Sequence, residues 1–269
     1  MLQHTFIHAP GIGRGTEDRL WRAGARDWDA YGELHSNGKL SGGRYDALAS
    51  TLAASRKALA KRDAGYFSQS LPNAERWRLY EEFAERAAYV DIETTGLSSD
   101  GDDITVVAMH AGGTTRTFVL GKDLERFPDA VAKFPLVVTF NGACFDLPFL
   151  ARKFRGFAPP AHIDLRYPLK RLGYAGGLKN VEREAGITRS SHLREVDGWE
   201  AVRLWHAYRR GDRAALDLLL EYARADVENL APLARMAATR LATELGFARR
   251  RCMWGGVTPP HELGGSSMP

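Results

Sequence analysis

From residue 87 onward the apolar positions change period repeatedly, and each change marks an element. Tyr89-Val90-Asp91-Ile92-Glu93-Thr94-Thr95-Gly96 reads as a buried strand that carries two acids and stops at a Thr-Thr-Gly turn. Ile104 to Ala111 and Thr114 to Leu120 alternate as two further strands joined at Gly112-Gly113, a hairpin signal. Asp123 to Lys133 is predicted helical, broken or bent by Pro128. Leu136-Val137-Val138-Thr139-Phe140 is continuously apolar, as a strand buried on both faces requires. A helix follows from Asp146, with Pro148 in its first turn, and Ala161 to Leu165 is the last strand. Helices are then predicted over 178–185, 198–210 and 212–244. Three antiparallel strands followed by alternating helices and strands describe an α/β layer fold with a mixed sheet.

Residues 1–85 read as a helical N-terminal region, with no strand after the short apolar run Thr5 to His8. Helices are predicted over 44–61 and 73–86; in the second, Trp77, Tyr80 and Phe83 recur at every third position. Trp21, Trp28 and Tyr31 are expected in the core. Pro10-Gly11-Ile12-Gly13-Arg14-Gly15-Thr16-Glu17 is a Gly-rich turn leading into a helix, with Thr16 as its cap. The turn resembles the hairpin of helix-hairpin-helix DNA-binding motifs, whose Gly-x-Gly amides contact a phosphate; that resemblance makes Gly11 and Gly13 nucleic-acid-binding candidates. Read without it, the turn only starts a packing helix. The chain is thus expected to divide into 1–85, a catalytic-looking domain over 86–245, and a flexible Gly/Pro/Ser-rich tail over 246–269.

Composition narrows the classes. The 269 residues are 44% hydrophobic and 26% charged, ordinary for a soluble globular protein. Two cysteines, Cys144 and Cys252, are too few for a disulfide framework or a thiolate zinc site. No signal peptide and no membrane-length apolar run are visible, so a reducing, cytoplasmic setting and no membrane partner are expected. The net charge of +4 mildly favours an acidic partner.

The chemistry begins with Asp91 and Glu93. Two apart on a strand, they project to the same face, while Val90 and Ile92 project to the other. Paired carboxylates repel unless a cation lies between them, and an all-oxygen site suits a hard divalent ion such as Mg²⁺ or Mn²⁺. Solvated acids on an edge strand would give the same triplet. Asp146 falls where a strand ends and a helix begins, a position that stabilises an anion even without a metal. Tyr222 and Asp226 are four apart on one helix face and can reach a common point. Between Arg152 and Arg183 eight basic residues stand against Asp164 and Glu182, a surplus of six beside the acid cluster. Such a flank suits a polyanion held by Lys and Arg, or equally a solvated helical face.

Asp91-x-Glu93 on a first strand, Asn141-x-x-x-Phe145-Asp146 after a fourth, and Tyr222-x-x-x-Asp226 on a late helix resemble the three exonuclease motifs of the DEDD superfamily, tyrosine subclass. The lead-in from Leu71-Pro72, the Gly11–Gly13 turn and Leu178-Lys179-x-Val181-Glu182 are similar to the bacterial YprB-type ribonuclease-H-like proteins. The resemblance implies a ribonuclease-H-like sheet and a two-metal 3′-5′ exonuclease using Mg²⁺ or Mn²⁺ on a DNA or RNA 3′ end. It assigns Asp91, Glu93, Asp146 and Asp226 to the ions and Tyr222 to the attacking water. Thr94, Asn141, Phe145 and Lys179 would contact nucleic acid. The histidine subclass is set aside, because position 221 is Glu; His192 and His206 are therefore expected at the surface or in packing. Competing functions are a binding module on the same fold without turnover, and a structure-selective endonuclease.

Overall fold

The computed structural model describes residues 1–98, 101–193 and 196–247. Among them, helices α1 (Arg14–Arg22), α2 (Trp28–Ser36), α3 (Gly43–Ala60), α4 (Ala64–Ser70) and α5 (Tyr80–Phe83) precede the first strand. The sheet then forms from β1 (Ala87–Thr94), β2 (Ile104–Ala111), β3 (Thr114–Val119), β4 (Leu136–Thr139) and β5 (His162–Asp164). Between and after the later strands lie α6 (Phe127–Val131), α7 (Asp146–Lys153), α8 (Arg166–Arg171), α9 (Leu178–Glu184), α10 (Gly198–Arg209) and α11 (Arg213–Glu244).

The strand order is β3-β2-β1-β4-β5. Strand β1 is central, antiparallel to β2 with Asp91 opposite Ala108, and parallel to β4 with Tyr89 opposite Val138. The mixed sheet expected from the apolar pattern is therefore present. Alternation along the strands sorts side chains into two helical layers. Val90, Ile92, Val107 and Met109 pack with Phe118, Phe127 and Phe149 on the α6–α7 side. Val106 and Ala108 pack with Trp205, Leu219 and Val227 on the α10–α11 side. Both faces are apolar, so β1 is buried along its length except at Asp91.

The N-terminal helices cover the β4–β5 end. Phe6, Trp28, Tyr31 and Phe67 belong to one apolar cluster with Val138 and Ile163 of the sheet and Leu230 and Leu233 of α11. Inside it the Arg78 guanidinium bonds both oxygens of Glu17 at 2.8 Å and Glu75 at 2.8 Å, while Glu17 also accepts the N–H groups of Phe6 and Ile7. A buried charge is tolerable only when its hydrogen bonds are completed in this way.

Three local expectations change. Residues 73–86 are a 3₁₀ segment (Asn73–Leu79), one α turn and a second 3₁₀ segment (Ala84–Arg86), not a single α-helix. The strict period of three at Trp77, Tyr80 and Phe83 matches three residues per turn, not 3.6. Helix α1 begins earlier than expected, with extended Gly13 at its cap; Thr16 lies within the helix, where its hydroxyl accepts from Arg19 and Arg44. Pro128 does not bend a helix but starts α6, where its missing N–H costs little. Of the expected tail, Phe247 is anchored, its ring 4.6 Å from His4 and under the Arg26 guanidinium. Residues 248–269 lie outside the described residues. No described helix is long and apolar enough to cross a membrane.

Candidate metal centre

One carboxylate oxygen each from Asp91, Glu93 and Asp226 lies within 4.8 Å of the other two. The first two come from the face of β1 turned toward α11; the third comes from α11 itself, one helical turn beyond Tyr222. Glu93 and Asp226 are buried, and Asp91 is partly so. Asp146 is also buried, at 2% exposure, but it stands outside that triad at its border.

The turn that delivers Asp146 is tightly specified. After β4, Asn141 adopts a left-handed conformation (φ 65°), rare for a residue with a Cβ. The buried Asp164 carboxylate at the end of β5 holds it there, accepting the N–H groups of Asn141 at 2.7 Å and Ala143 at 3.1 Å. Gly142 packs so closely that a Cβ would collide with the Thr139 side chain, and its N–H donates to the Thr139 hydroxyl at 3.1 Å. Helix α7 then begins at Asp146.

Two cations complete the centre. Arg189 reaches both oxygens of Glu182 through Nε and a terminal nitrogen, and its other terminal nitrogen pairs with Asp226. Its guanidinium lies 5.7 Å from the Tyr222 ring centre, and the Lys179 ammonium lies 4.9 Å from the same ring. Asn229 donates to Glu182 at 3.0 Å.

The electrostatics follow from this crowding. Burial first, then the charges of Asp226 and Asp146, push the carboxyls of Asp91 and Glu93 well above their ordinary range. Burial lifts Asp146 to about 7, although the backbone amides of Asp146 and Ile92 restrain it. Burial raises Asp226 to about 6, with Arg189 pulling the other way. The Tyr222 phenol is raised by burial and by the facing acids, so it stays protonated at neutral pH. Burial lowers the Lys179 ammonium, and neighbouring acids partly restore it.

Oxygens Oε1 of Glu93 and Oδ1 of Asp146 are buried without a hydrogen-bond partner, and Oδ1 of Asp226 meets only the Arg189 guanidinium. Buried carboxylate oxygens rarely remain so. All are hard anionic donors converging from three elements, which is the donor set a divalent oxygen-seeking cation takes. The residues present fit such an ion.

The other sequence candidates fall into two groups. Thr94 is buried at the end of β1, its hydroxyl donating to the Gly96 carbonyl; Asn141 and Phe145 flank the turn into Asp146. Gly11 and Gly13 belong to the N-terminal turn, where the Gly11 carbonyl accepts from Arg44, and they take no part in the acid cluster. His192 pairs with Glu221 at the surface, and His206 is exposed. Arg189 is not among the sequence candidates. It lies beyond the basic stretch that ends at Arg183, and a lone Arg after Gly-Ile-Thr carries no local signal of the ion pair it makes.

Similar solved structures cover parts of the chain. Brucella melitensis NrnC with bound Mg²⁺ is 25% identical over 60% of this chain and 76% of that one, with a TM-score of 0.44. Escherichia coli RNase D, an exoribonuclease involved in structured RNA processing, is 21% identical over 64% and 42%, with a TM-score of 0.45. The family B DNA polymerase of Pyrobaculum calidifontis is 18% identical, with a TM-score of 0.45; 56% of this chain spans 24% of the polymerase. No curated protein matches the sequence. The family model of the RNase_H superfamily matches residues 88–238, more than half of the chain and every acid of the centre, and the protein belongs to that superfamily.

Proposed function

We propose that this protein is a Mg²⁺- or Mn²⁺-dependent 3′-5′ exonuclease that hydrolyses phosphodiester bonds of DNA or RNA. The observation that carries the reading is the convergence of Asp91, Glu93 and Asp226 at one ion-sized point, where Oε1 of Glu93 is buried without a hydrogen-bond partner. Asp91, Glu93 and Asp226 would hold one ion, and Asp146, at the border, a second. Bound divalent ions lower the pKa of an attacking water and neutralise charge on the reacting phosphate.

The chain's own groups have separate tasks. Tyr222, held protonated, orients the water rather than removing its proton. Arg189 keeps the Asp226 carboxylate in place through the Glu182–Asn229 relay. Lys179, its ammonium buried and unbonded beside the Tyr222 ring, adds positive charge next to the acids that favours a bound phosphate. Thr94, Asn141 and Phe145 border the path of the strand to that point. The 3′-5′ direction comes with the resemblance to the DEDD motifs. Gly11 and Gly13 form at most a separate contact to nucleic acid, remote in the chain from the acids.

The test is degradation of 5′-labelled single-stranded DNA and RNA in Mn²⁺. Progressive shortening is expected, and it should vanish on joint Asp91→Ala and Asp226→Ala substitution. Cleavage that survives the double substitution would sink the assignment. Cutting of a circular strand would instead identify an endonuclease.

A further inference from the structure

A second concave surface opens beside a different face of α9. Lys179 and Glu182 turn toward the acids, whereas Gly177 and Val181, one helical turn apart, line a cleft of about 410 Å³. That volume falls within the roughly 300–1,000 Å³ of small-ligand sites. Phe140, Leu169, Val181 and Tyr174 give it an apolar and aromatic floor. The Tyr174 ring is held in place, its hydroxyl accepting from Arg240 at 2.9 Å and donating to the Met236 sulfur at 3.6 Å, with the Arg240 guanidinium 5.8 Å from the ring centre.

The rim carries Arg166 and Lys170 and no acid. Lys170 is exposed and makes no hydrogen bond or ion pair among the described residues, and the Arg166 guanidinium has only the neutral Asn141 amide as its partner there. By contrast, Arg14, Arg78 and Arg171 all reach the Glu75 carboxylate. Two uncompensated cations above a flat apolar floor match an anion that carries a planar ring.

The cleft also lies on the path to the metal centre. Strands β1 and β4 are parallel, so Asn141 emerges at the same end of the sheet as Asp91 and Glu93. Asn141 belongs both to the cleft wall and to the turn that delivers Asp146.

We propose that this cleft binds a nucleotide of the substrate strand upstream of the scissile bond, its base on Tyr174 and Phe140 and its phosphate between Arg166 and Lys170. The proposal rests on the nuclease reading above, but it is tested by binding, without turnover. Affinity is measured by fluorescence anisotropy, in Mg²⁺, on a labelled oligonucleotide whose 3′-terminal linkages are phosphorothioates. Lys170→Glu removes no internal contact and should fold normally; Tyr174→Leu keeps the bulk and removes the stacking face.

Each substitution should weaken binding about tenfold, in line with loss of one phosphate contact or one stacked base. Lys170→Glu should also lower the salt slope by about 0.7, the increment for one phosphate of a single strand. Hydrolysis of thymidine 5′-p-nitrophenyl phosphate, which has no upstream nucleotide, should be unchanged by both. Wild-type affinity in both variants would overturn the proposal. So would a free mononucleotide that binds wild type but not Lys170→Glu while leaving oligonucleotide affinity unchanged, since the cleft would then serve a separate small molecule. A wild-type protein that binds strands through the cleft yet cleaves none would refute the nuclease reading and leave the cleft standing.

Discussion

Replacing Glu93 with Gln should stabilise the protein when metal is removed and destabilise it, relative to wild type, when metal is present. The three carboxylate oxygens lie within 4.8 Å of one another. At an effective dielectric near 20, two full charges at that distance repel by about 3.5 kcal/mol. Glu93 takes part in two such pairs, which gives about 7 kcal/mol for fully charged groups at that separation. Retained protons and the attraction of Lys179 and Arg189 reduce it, leaving a net gain of about 1–2 kcal/mol for the amide in EDTA. For a chain of this size that is a rise of about 2–4 °C per kcal/mol in melting temperature. With Mn²⁺ at 100 times its dissociation constant the wild type gains about 2.7 kcal/mol. The variant, lacking one of three anionic ligands, should bind about a hundredfold more weakly and so lose about 2.3 kcal/mol of that gain, more than the amide gains in EDTA. The two melting curves, followed by circular dichroism, should therefore exchange order between EDTA and Mn²⁺. A variant less stable than wild type in both conditions would refute the reasoning, because Glu93 would then be a structural hydrogen-bonding acid and not a repelled ligand.

Arg78→Met should cost about 3–5 kcal/mol in urea melts, since it leaves Glu17 and Glu75 buried without their shared cation; a loss below about 1 kcal/mol would show that water replaces the guanidinium. His162, hydrogen-bonded to Thr139, is lowered by burial, and secondarily by the Arg76 charge, to about 4. The unfolded chain therefore binds more protons between about 4 and 6.5, so the stability His162 contributes is complete above about 6.5 and is lost as pH falls toward 4. The stability gap between wild type and His162→Asn, read from urea midpoints, should narrow by about 2 kcal/mol on going from about pH 7 to about pH 4.5; a constant gap would contradict this. Gly142→Ala forces Thr139 aside and should cost at least about 1 kcal/mol in thermal melts. Because the same turn carries Asp146, nuclease rate should fall further than stability does, and an unaffected rate would dissociate the turn from the site.

The sheet is legible in the chain because β2 and β3 flank a Gly-Gly hairpin and β4 is an unbroken apolar run, signals that depend only on neighbours in sequence. The acids of β1 and the Tyr222–Asp226 pair are legible for the same reason, since periods of two and four fix a common face. Helices α2 and α4 escape such a reading although Asp27 and Asp63 cap them with side-chain hydrogen bonds; their few turns are stabilised mainly by burial against distant residues. Residues 73–86 mislead because a period of three lies close enough to 3.6 to pass for an α-helix over so short a stretch. Arg189 is invisible for a different reason. Its partners Glu182 and Asp226 lie on separate helices, and no local pattern encodes an ion pair that only the assembled layers create.

Helix α11 carries Tyr222 and Asp226 on one stretch and, within the next two turns, seats Leu230 and Leu233 among the N-terminal aromatics. Pro232 takes away the hydrogen bond to the Glu228 carbonyl, so the helix is not uniformly stiff, and its coupling to Asp226 runs chiefly through Leu230, one turn away. Loosening the N-terminal helices at Phe67, which lies in the same apolar cluster as Leu230, would let the helix rock and spread the acids. The N-terminal helices would thereby act as a splint for the acid cluster, and a chain trimmed to the sheet and its own helices should lose the alignment of those acids before it loses its fold.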